Sequence, residues 1–472
     1  MIPERLTPIL DEVRPLASRF EAAGHRLYLV GGIVRDLVLG RVVEGDYDLT
    51  TDARPEQTTA LLRGWADAVW DQGARFGTVG CKRGDTTFEI TTHRAEAYAP
   101  ESRKPTVDFA AEVEADLERR DFTVNAMALR VTGSPDEVPE LIDPFGGVAD
   151  LASGTLRTPL EPRVSFTDDP LRVLRAARFI AGYGLSPEQG LVDVVRELVE
   201  RLEIVSAERI RDELCKLLVV EDPTPGLWFL VDSGIADVIL PELPAMRVEQ
   251  DPIHRHKDVL AHTLAVVAKT RPNRIVRLAA LLHDVGKPKT RSIGPKGVSF
   301  HHHEVVGARM ARERLRALRF PNDEVEAITQ LVYLHLRFHG YRDDVWTDAA
   351  VRRYVRDAGD LLDELNELTR CDCTTRNERK AELLAARMDA LEERIAELRD
   401  QEELESIRPD LDGDAVMAHL GIPPGRAVGE ALSMLLEARL EEGPLGEEEA
   451  RRRLDVWWTD RAETRPGDDH GP

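Results

Sequence analysis

The chain has 472 residues, 42% hydrophobic and 32% charged, with a formal net charge of −23. At roughly 150 residues per domain this length holds about three domains with sizeable cores, and the composition excludes a disordered or fibrous chain. The acidity excludes a uniformly basic nucleic-acid coat, though not a local basic stripe, and aromatics at 5% argue against broad base stacking on a sheet.

The four cysteines, Cys81, Cys215, Cys371 and Cys373, form no C-x-x-C pair. A structural zinc ribbon is therefore not expected, and the thiols point to a reducing cytoplasm. The opening MIPERLTPIL lacks a basic segment followed by an apolar one, and no stretch approaches about 18 apolar residues. No membrane span is expected; a cytoplasmic location is.

LYLV at 27–30 reads as a strand that ends at Gly31-Gly32. A tight turn follows, then a helix from near Ile33 whose first N–H groups would face a phosphate. TTFEITT at 86–92 alternates, with Phe88 and Ile90 on one face and Thr87, Glu89 and Thr91 on the other. From about residue 160 the strand signal fades and helical segments follow. The expected division is 1–157, an α/β catalytic domain; 158–245, a helical nucleotide-recognition and RNA-binding part; 246–376, a histidine-rich helical part; and 377–472, a helical C-terminal part. In the last, Leu384, Met388, Leu391, Ile395 and Leu398 repeat at 4-3-4-3 spacing, a seam suited to an intrachain helix hairpin. The end, RPGDDHGP, is expected to be disordered.

The first chemistry lies in the segment LYLVGGIVRDLVLGRVVEGDYDLTTDA. On a strand, Asp46 and Asp48 point the same way, ~7 Å apart. Two hard carboxylates on one face suit Mg²⁺, which takes its other ligands from water and substrate phosphates. Glu89, on the polar face of its strand, is the candidate third carboxylate for a two-metal displacement at phosphorus. G-x-G-x-x-G is absent here, which excludes a Rossmann fingerprint. Further on, Asp169-Pro170 reads as a helix start, and Arg172, Arg175 and Arg178 recur on one face behind it.

These segments, in this order, resemble the class II CCA-adding tRNA nucleotidyltransferases and the bacterial poly(A) polymerases, both of the polymerase-β-like nucleotidyltransferase superfamily. Besides the glycine–aspartate segment, the resemblance rests on GARFGTVG at 73–80, FEITTHRAEAY at 88–98, DLERRDFTVNAMAL at 116–129 and DDPLRVLRAARF at 168–179. It spans about residues 25 to 435. It implies an N-terminal α/β nucleotidyltransferase domain followed by all-α domains, acting on CTP, ATP and the 3′ end and acceptor stem of tRNA. It assigns catalysis and Mg²⁺ to Asp46, Asp48 and Glu89. It assigns nucleotide binding to Gly31, Gly32, Arg35, Arg119, Arg120, Asp121, Asn125, Asp169, Arg172, Arg175 and Arg178. Within that set Asp169 and Arg172 would select the base, and Arg120 and Asp121 would read the ribose. Asp168 departs from the family, which has Glu there. GARFGTVG resembles the CCA-adding branch more than the poly(A) branch, whose stretch there is arginine-rich. Partial CC- or A-addition stays open. Arg157, Arg163, Arg172, Arg175, Arg178 and Arg211 would offer the tRNA positive surface, and HLGIPPGRAVG at 419–429 resembles the family's turn near the tRNA.

The second chemistry is a set of histidines. The order of His262, the pair His283-Asp284, His303, His335 and Asp372 resembles the HD phosphohydrolase superfamily, which implies that His262, His283, Asp284 and Asp372 would bind one transition metal and that His303 and His335 would add a second. Imidazole with carboxylate suits Mn, Fe, Co, Ni or Zn more than Mg. Lys287 would contact a substrate phosphate, and Gly286 is expected to cap the preceding helix. His254, His256, His301, His302 and His339 receive no role. A hydrolase whose N-terminal domain only binds RNA is the alternative from another class.

Overall fold

The computed structural model describes residues 6–41, 45–71, 73–74, 77–97, 106–248, 258–294, 297–340, 346–373, 378–402, 404 and 407–464. His254, His256 and the RPGDDHGP end lie outside these. The chain divides into two compact units, Met1–Pro241 and Glu242–Pro472. Among the described residues no helix is long and apolar enough to cross a membrane. All four cysteines are free.

The N-terminal part of the first unit holds, among the described residues, nine strands: β1 (Leu27–Val30), β2 (Asp46–Thr51), β3 (Ala68–Trp70), β4 (Thr78–Arg83), β5 (Thr86–Thr92), β6 (Arg94–Ala97), β7 (Thr106–Phe109), β8 (Ala128–Val131) and β9 (Glu140–Ile142). Seven form a sheet in the order β3-β4-β5-β2-β1-β8-β9, and β6 and β7 pair apart from it. The β2–β5 pair is parallel and sets Asp48 beside Glu89. Register is fixed by burial: Tyr47, Leu49, Phe88 and Ile90 all enter the core. A one-residue slip would bury the carboxylates instead. The helix Thr7–Ala22 covers that apolar face with Leu10, Val13, Ala17 and Phe20, at helical spacing.

The helix Leu171–Tyr183 follows the helix Pro162–Asp168 almost without a break. The joint corrects the expected helix start: Asp169 is the extended residue between the two helices, and Pro170 is the cap. The expected all-helical remainder also carries a short pair, Thr155–Leu156 with Ser186–Pro187, and a hairpin, Arg291–Gly294 with Gly297–Phe300. The hairpin gave no periodic signal because one of its strands is exposed throughout.

In the second unit, side-chain caps open four of the described helices, among them Val259–Lys269 and Arg274–Leu282. Asp258 accepts from the Leu260 N–H, and Asn273 from the Ile275 and Val276 N–H groups. The helices Val259–Lys269, Arg274–Leu282, Asn322–Leu334 and Leu362–Asp372 pack together, with His303–Ala317 against Asn322–Leu334. Met388, Leu391, Ile395 and Leu398 are buried on the helix Glu378–Gln401, which packs on Asp348–Ala358 and Leu362–Asp372. Beyond it, Leu411, Val416, Ala431, Leu435 and Leu454 form a separate small core.

Candidate active site and metal centre

Gly31 turns the chain from β1 into the helix Gly32–Val38 at φ 72°, a conformation that favours glycine. A Cβ there would lie 2.8 Å from Nη1 of Arg120. The turn borders a cavity of about 320 Å³ lined by Val30, Asp48, Leu49, Glu89, Thr91, Arg94, Arg119, Arg120, Asp121, Asp169, Arg172, Arg175 and Arg209. Six arginines face four carboxylates in that lining. In a chain of net charge −23 this is a local basic site, suited to a polyphosphate.

At its acidic side, burial raises the Asp48 carboxyl, and Asp46 raises it further against the pull of Arg120. Burial likewise raises Glu89, with Asp48 and Asp46 adding to it. Crowded carboxylates that resist ionisation fit a hard divalent cation, whose charge relieves their repulsion. All three donors are oxygens, which fits Mg²⁺.

At the basic side, two buried aspartates hold the arginines. Asp116 accepts from Arg119 Nη2 at 2.7 Å and Arg120 Nη2 at 3.0 Å. Burial would raise its carboxyl, but the two guanidiniums outweigh burial and bring it to about 2. Asp121 accepts from Arg175 Nε at 2.8 Å, Asn125 Nδ2 at 2.9 Å and the Phe122 N–H at 2.9 Å. Against burial, Arg175 and Asn125 bring it too to about 2.

Of the expected nucleotide-binding residues, Arg119, Arg120, Asp121, Asp169, Arg172 and Arg175 line the cavity. Gly31, Gly32, Arg35, Asn125 and Arg178 are not in its wall. Arg35 is buried, donates Nη1 to Asn125 Oδ1 at 2.6 Å and stacks 4.1 Å over the Tyr183 ring. Arg178 pairs with buried Glu213 and lies 4.7 Å over Phe179. These side chains brace the wall from behind. Of the arginines expected to offer basic surface, Arg157 pairs with Asp150, Arg163 with Glu197, Arg175 with Asp121, Arg178 with Glu213 and Arg211 with Asp212. Arg172 is buried.

The second unit brings all six expected ligands together. His262 Nε2 is 2.9 Å from Asp372 Oδ1 and 3.5 Å from Asp284 Oδ2. His283 Nε2 is 3.2 Å from Asp284 Oδ2, and His303 Nε2 is 3.4 Å from Asp284 Oδ1. His335 Nε2 lies 3.3 Å from His303 Nε2. The Nδ1 atoms of His283, His303 and His335 bond the carbonyls of Ala280, Phe300 and Val332 at 2.7, 2.7 and 2.6 Å. Each bond aims Nε2 inward, as metal-binding histidines require. The buried His283 Nε2 and Asp284 Oδ1 have no hydrogen-bond partner among the described residues. A cation satisfies both, so the donor set fits a borderline divalent metal. The groups of three such side chains with ligand atoms within 4.8 Å both belong to this cluster, among the described residues. Burial lowers His283, but Asp284 and Asp372 prevail and raise it to about 10. Burial and the charge of His283 bring His335 to about 3.

Lys287 donates to Asp284 Oδ2 at 2.6 Å, so its partner here is a ligand carboxylate rather than open space for a phosphate. Gly286 is not the expected cap: it has φ −77° and opens the short helix Lys287–Thr290. Its reason is close approach, since a Cβ would lie 2.2 Å from the His303 carbonyl oxygen.

Residues 27–157 match the Poly A polymerase head domain, 184–246 the probable RNA and SrmB-binding site of polymerase A, and 259–404 the HD domain. The A-adding tRNA nucleotidyltransferase of Deinococcus radiodurans is 35% identical over 460 residues, covering 93% of this chain and 96% of that protein. The chain belongs to the tRNA nucleotidyltransferase family. The CCA-adding enzyme of Streptococcus gordonii is 36% identical over 247 residues, 52% of this chain and 59% of that enzyme. The structure of the Bacillus stearothermophilus CCA-adding enzyme in complex with CTP covers 98% of this chain at 23% identity, with a TM-score of 0.71, and shares its fold.

Within this tRNA nucleotidyltransferase fold, sequence reasoning missed Arg94, Arg209, Asp116 and Glu213. Asp116 stands three and four residues before Arg119 and Arg120, a helical pairing distance that could have revealed it. Arg209 left no local signal: its partner, Asp169, is 40 residues away.

Proposed function

We propose that this tRNA nucleotidyltransferase builds or repairs the 3′-terminal CCA of tRNA, without a nucleic-acid template, from CTP and ATP. The supporting observation is one cavity with crowded carboxylates at one side and Asp169 and Arg172 at another. Asp46, Asp48 and Glu89 would hold Mg²⁺, which when bound would lower the pKa of the tRNA 3′-hydroxyl and offset charge at phosphorus. The hydroxyl oxygen forms a bond to the α-phosphorus as the bond to pyrophosphate breaks. Arg119, Arg120 and Arg175, held by Asp116 and Asp121, orient the triphosphate and ribose.

Base choice follows from hydrogen bonding. Cytosine and adenine each carry an amino donor beside a ring-nitrogen acceptor, which match the Asp169 carboxylate and the Arg172 guanidinium. Uracil and guanine would turn a carbonyl toward Asp169, set acceptor against acceptor and forfeit the hydrogen bond that an amino group makes there, at a cost of about 1–3 kcal/mol.

The chain reads as catalytic domain, recognition part, HD part and C-terminal part. The HD cluster serves as a metal-dependent phosphohydrolase centre, where a transition metal would supply Lewis acidity toward a phosphoester. Asp46→Ala tests the division: nucleotide addition should vanish while hydrolysis of phosphoesters survives. Addition that persists in Asp46→Ala would refute the catalytic assignment. A second reading, addition of the terminal A alone, is favoured by the full-length similarity to the A-adding enzyme of D. radiodurans.

A further inference from the structure

Asp169 and Arg172 stand three residues apart, a spacing at which acid and base commonly pair. Here each side chain is held by another partner. Asp169 Oδ2 accepts from Arg209 Nη2 at 2.8 Å, and Oδ1 from the Leu171 N–H at 3.2 Å. Arg172 donates Nη1 to Ser165 Oγ at 2.8 Å, and Nη2 to the carbonyl of Arg119. The restraints come from separate elements: Ser165 from the helix Pro162–Asp168, Arg209 from the helix Ala207–Leu218.

A mutual Asp169–Arg172 ion pair would consume the two polar edges that a base must meet. The observed bonds leave acceptor sites on Asp169 and N–H donors on Arg172. Asp169, Arg172 and Arg209 all line the cavity. Ser165 and the Arg119 carbonyl fix Arg172 within a buried setting, whereas the Arg209 side chain is 53% exposed and reaches Asp169 from the rim. Asp169 would otherwise be free to turn toward Arg172, its near neighbour on the chain.

We propose that Arg209 is a positioning residue for nucleotide selection: its ion pair holds the Asp169 carboxylate apart from Arg172, so that both edges remain available to the incoming base. The proposal rests on the base-selecting reading of Asp169 and Arg172. It assigns Arg209 an effect exerted through Asp169, distinct from direct contact with the triphosphate.

A double-mutant cycle on the full chain separates these roles. It reads kcat/KM for CTP and for UTP on a tRNA lacking its CCA. Arg209→Ala should reduce discrimination for CTP over UTP about tenfold, the scale of one charge-assisted hydrogen bond. Arg209→Lys should restore most of it. Asp169→Ala should abolish discrimination, and adding Arg209→Ala to it should change discrimination no further. Unchanged discrimination in Arg209→Ala would overturn the role of Arg209. So would an equal further loss on the Asp169→Ala background. Full discrimination in Asp169→Ala would instead overturn the base-selecting reading itself. A melting transition checks the folding of each variant, and Arg209→Gln carries the same expectation should the alanine variant not fold.

Discussion

Asp116 and Asp121 carry the arginine side of the cavity, and their chemistry makes the fold acid-sensitive. Both carboxyls fall to about 2 in the folded chain, against about 3.9 when unfolded. A group whose pKa is depressed on folding stabilises the fold above its unfolded pKa. That contribution is lost as pH falls from roughly 4 toward 2, and is at most about 2.6 kcal/mol for each residue. Asp121→Asn should therefore lower stability at pH 7 and flatten the acid limb of the unfolding profile, measured by denaturant titration between pH 5 and 2.5. An unchanged acid limb would contradict the pairing with Arg175. At this scale, legibility followed locality. Asp46, Asp48 and Glu89 could be placed on one face because strand alternation is a two-residue rule. Arg35 and Arg178 face Tyr183 and Glu213, partners distant in sequence, so their place behind the cavity wall left no local signal.

Gly286 links two elements of the HD cluster. Its carbon skeleton lies so near the start of the helix His303–Ala317 that a Cβ would meet the His303 carbonyl oxygen at 2.2 Å and the Gly307 nitrogen at 2.8 Å. The contact is with backbone, which cannot swing aside. Gly286→Ala should push the Lys287–Thr290 turn off that helix, costing about 1–3 kcal/mol. His303 should move from Asp284, with loss of bound metal. Calorimetry and metal analysis of the purified protein would read both; a wild-type melting temperature with full metal content would contradict this packing. The sequence alone marked Gly286 as punctuation, and glycine after a helix is ordinarily a cap. Only the neighbouring helix reveals its purpose. The helix Thr7–Ala22 and the 291–300 hairpin escaped the element reading too, the hairpin for want of a buried alternating face. The strand at 86–92 was legible because Phe88 and Ile90 alternate with polar residues.

Each compact unit holds one chemical centre: the arginine-lined cavity within Met1–Pro241, the histidine cluster within Glu242–Pro472. The order of the two centres was legible from motif order, whereas the bonds that brace them were not. The centres use different donors, oxygens in one and imidazole with carboxylate in the other. Asp284→Ala should therefore strip the borderline metal and any hydrolysis dependent on it, while Mg²⁺-dependent nucleotide addition continues. Addition lost in that variant, with the fold intact by circular dichroism, would contradict two independent centres. The most direct measurement is the length and sequence of the product. The protein, with Mg²⁺, CTP and ATP, is given tRNAs ending before CCA, after C and after CC, and the products are resolved on a sequencing gel. The account predicts completion to CCA from all three, followed by a stop; a lengthening run of A, or addition of A only to the tRNA ending in CC, would contradict it.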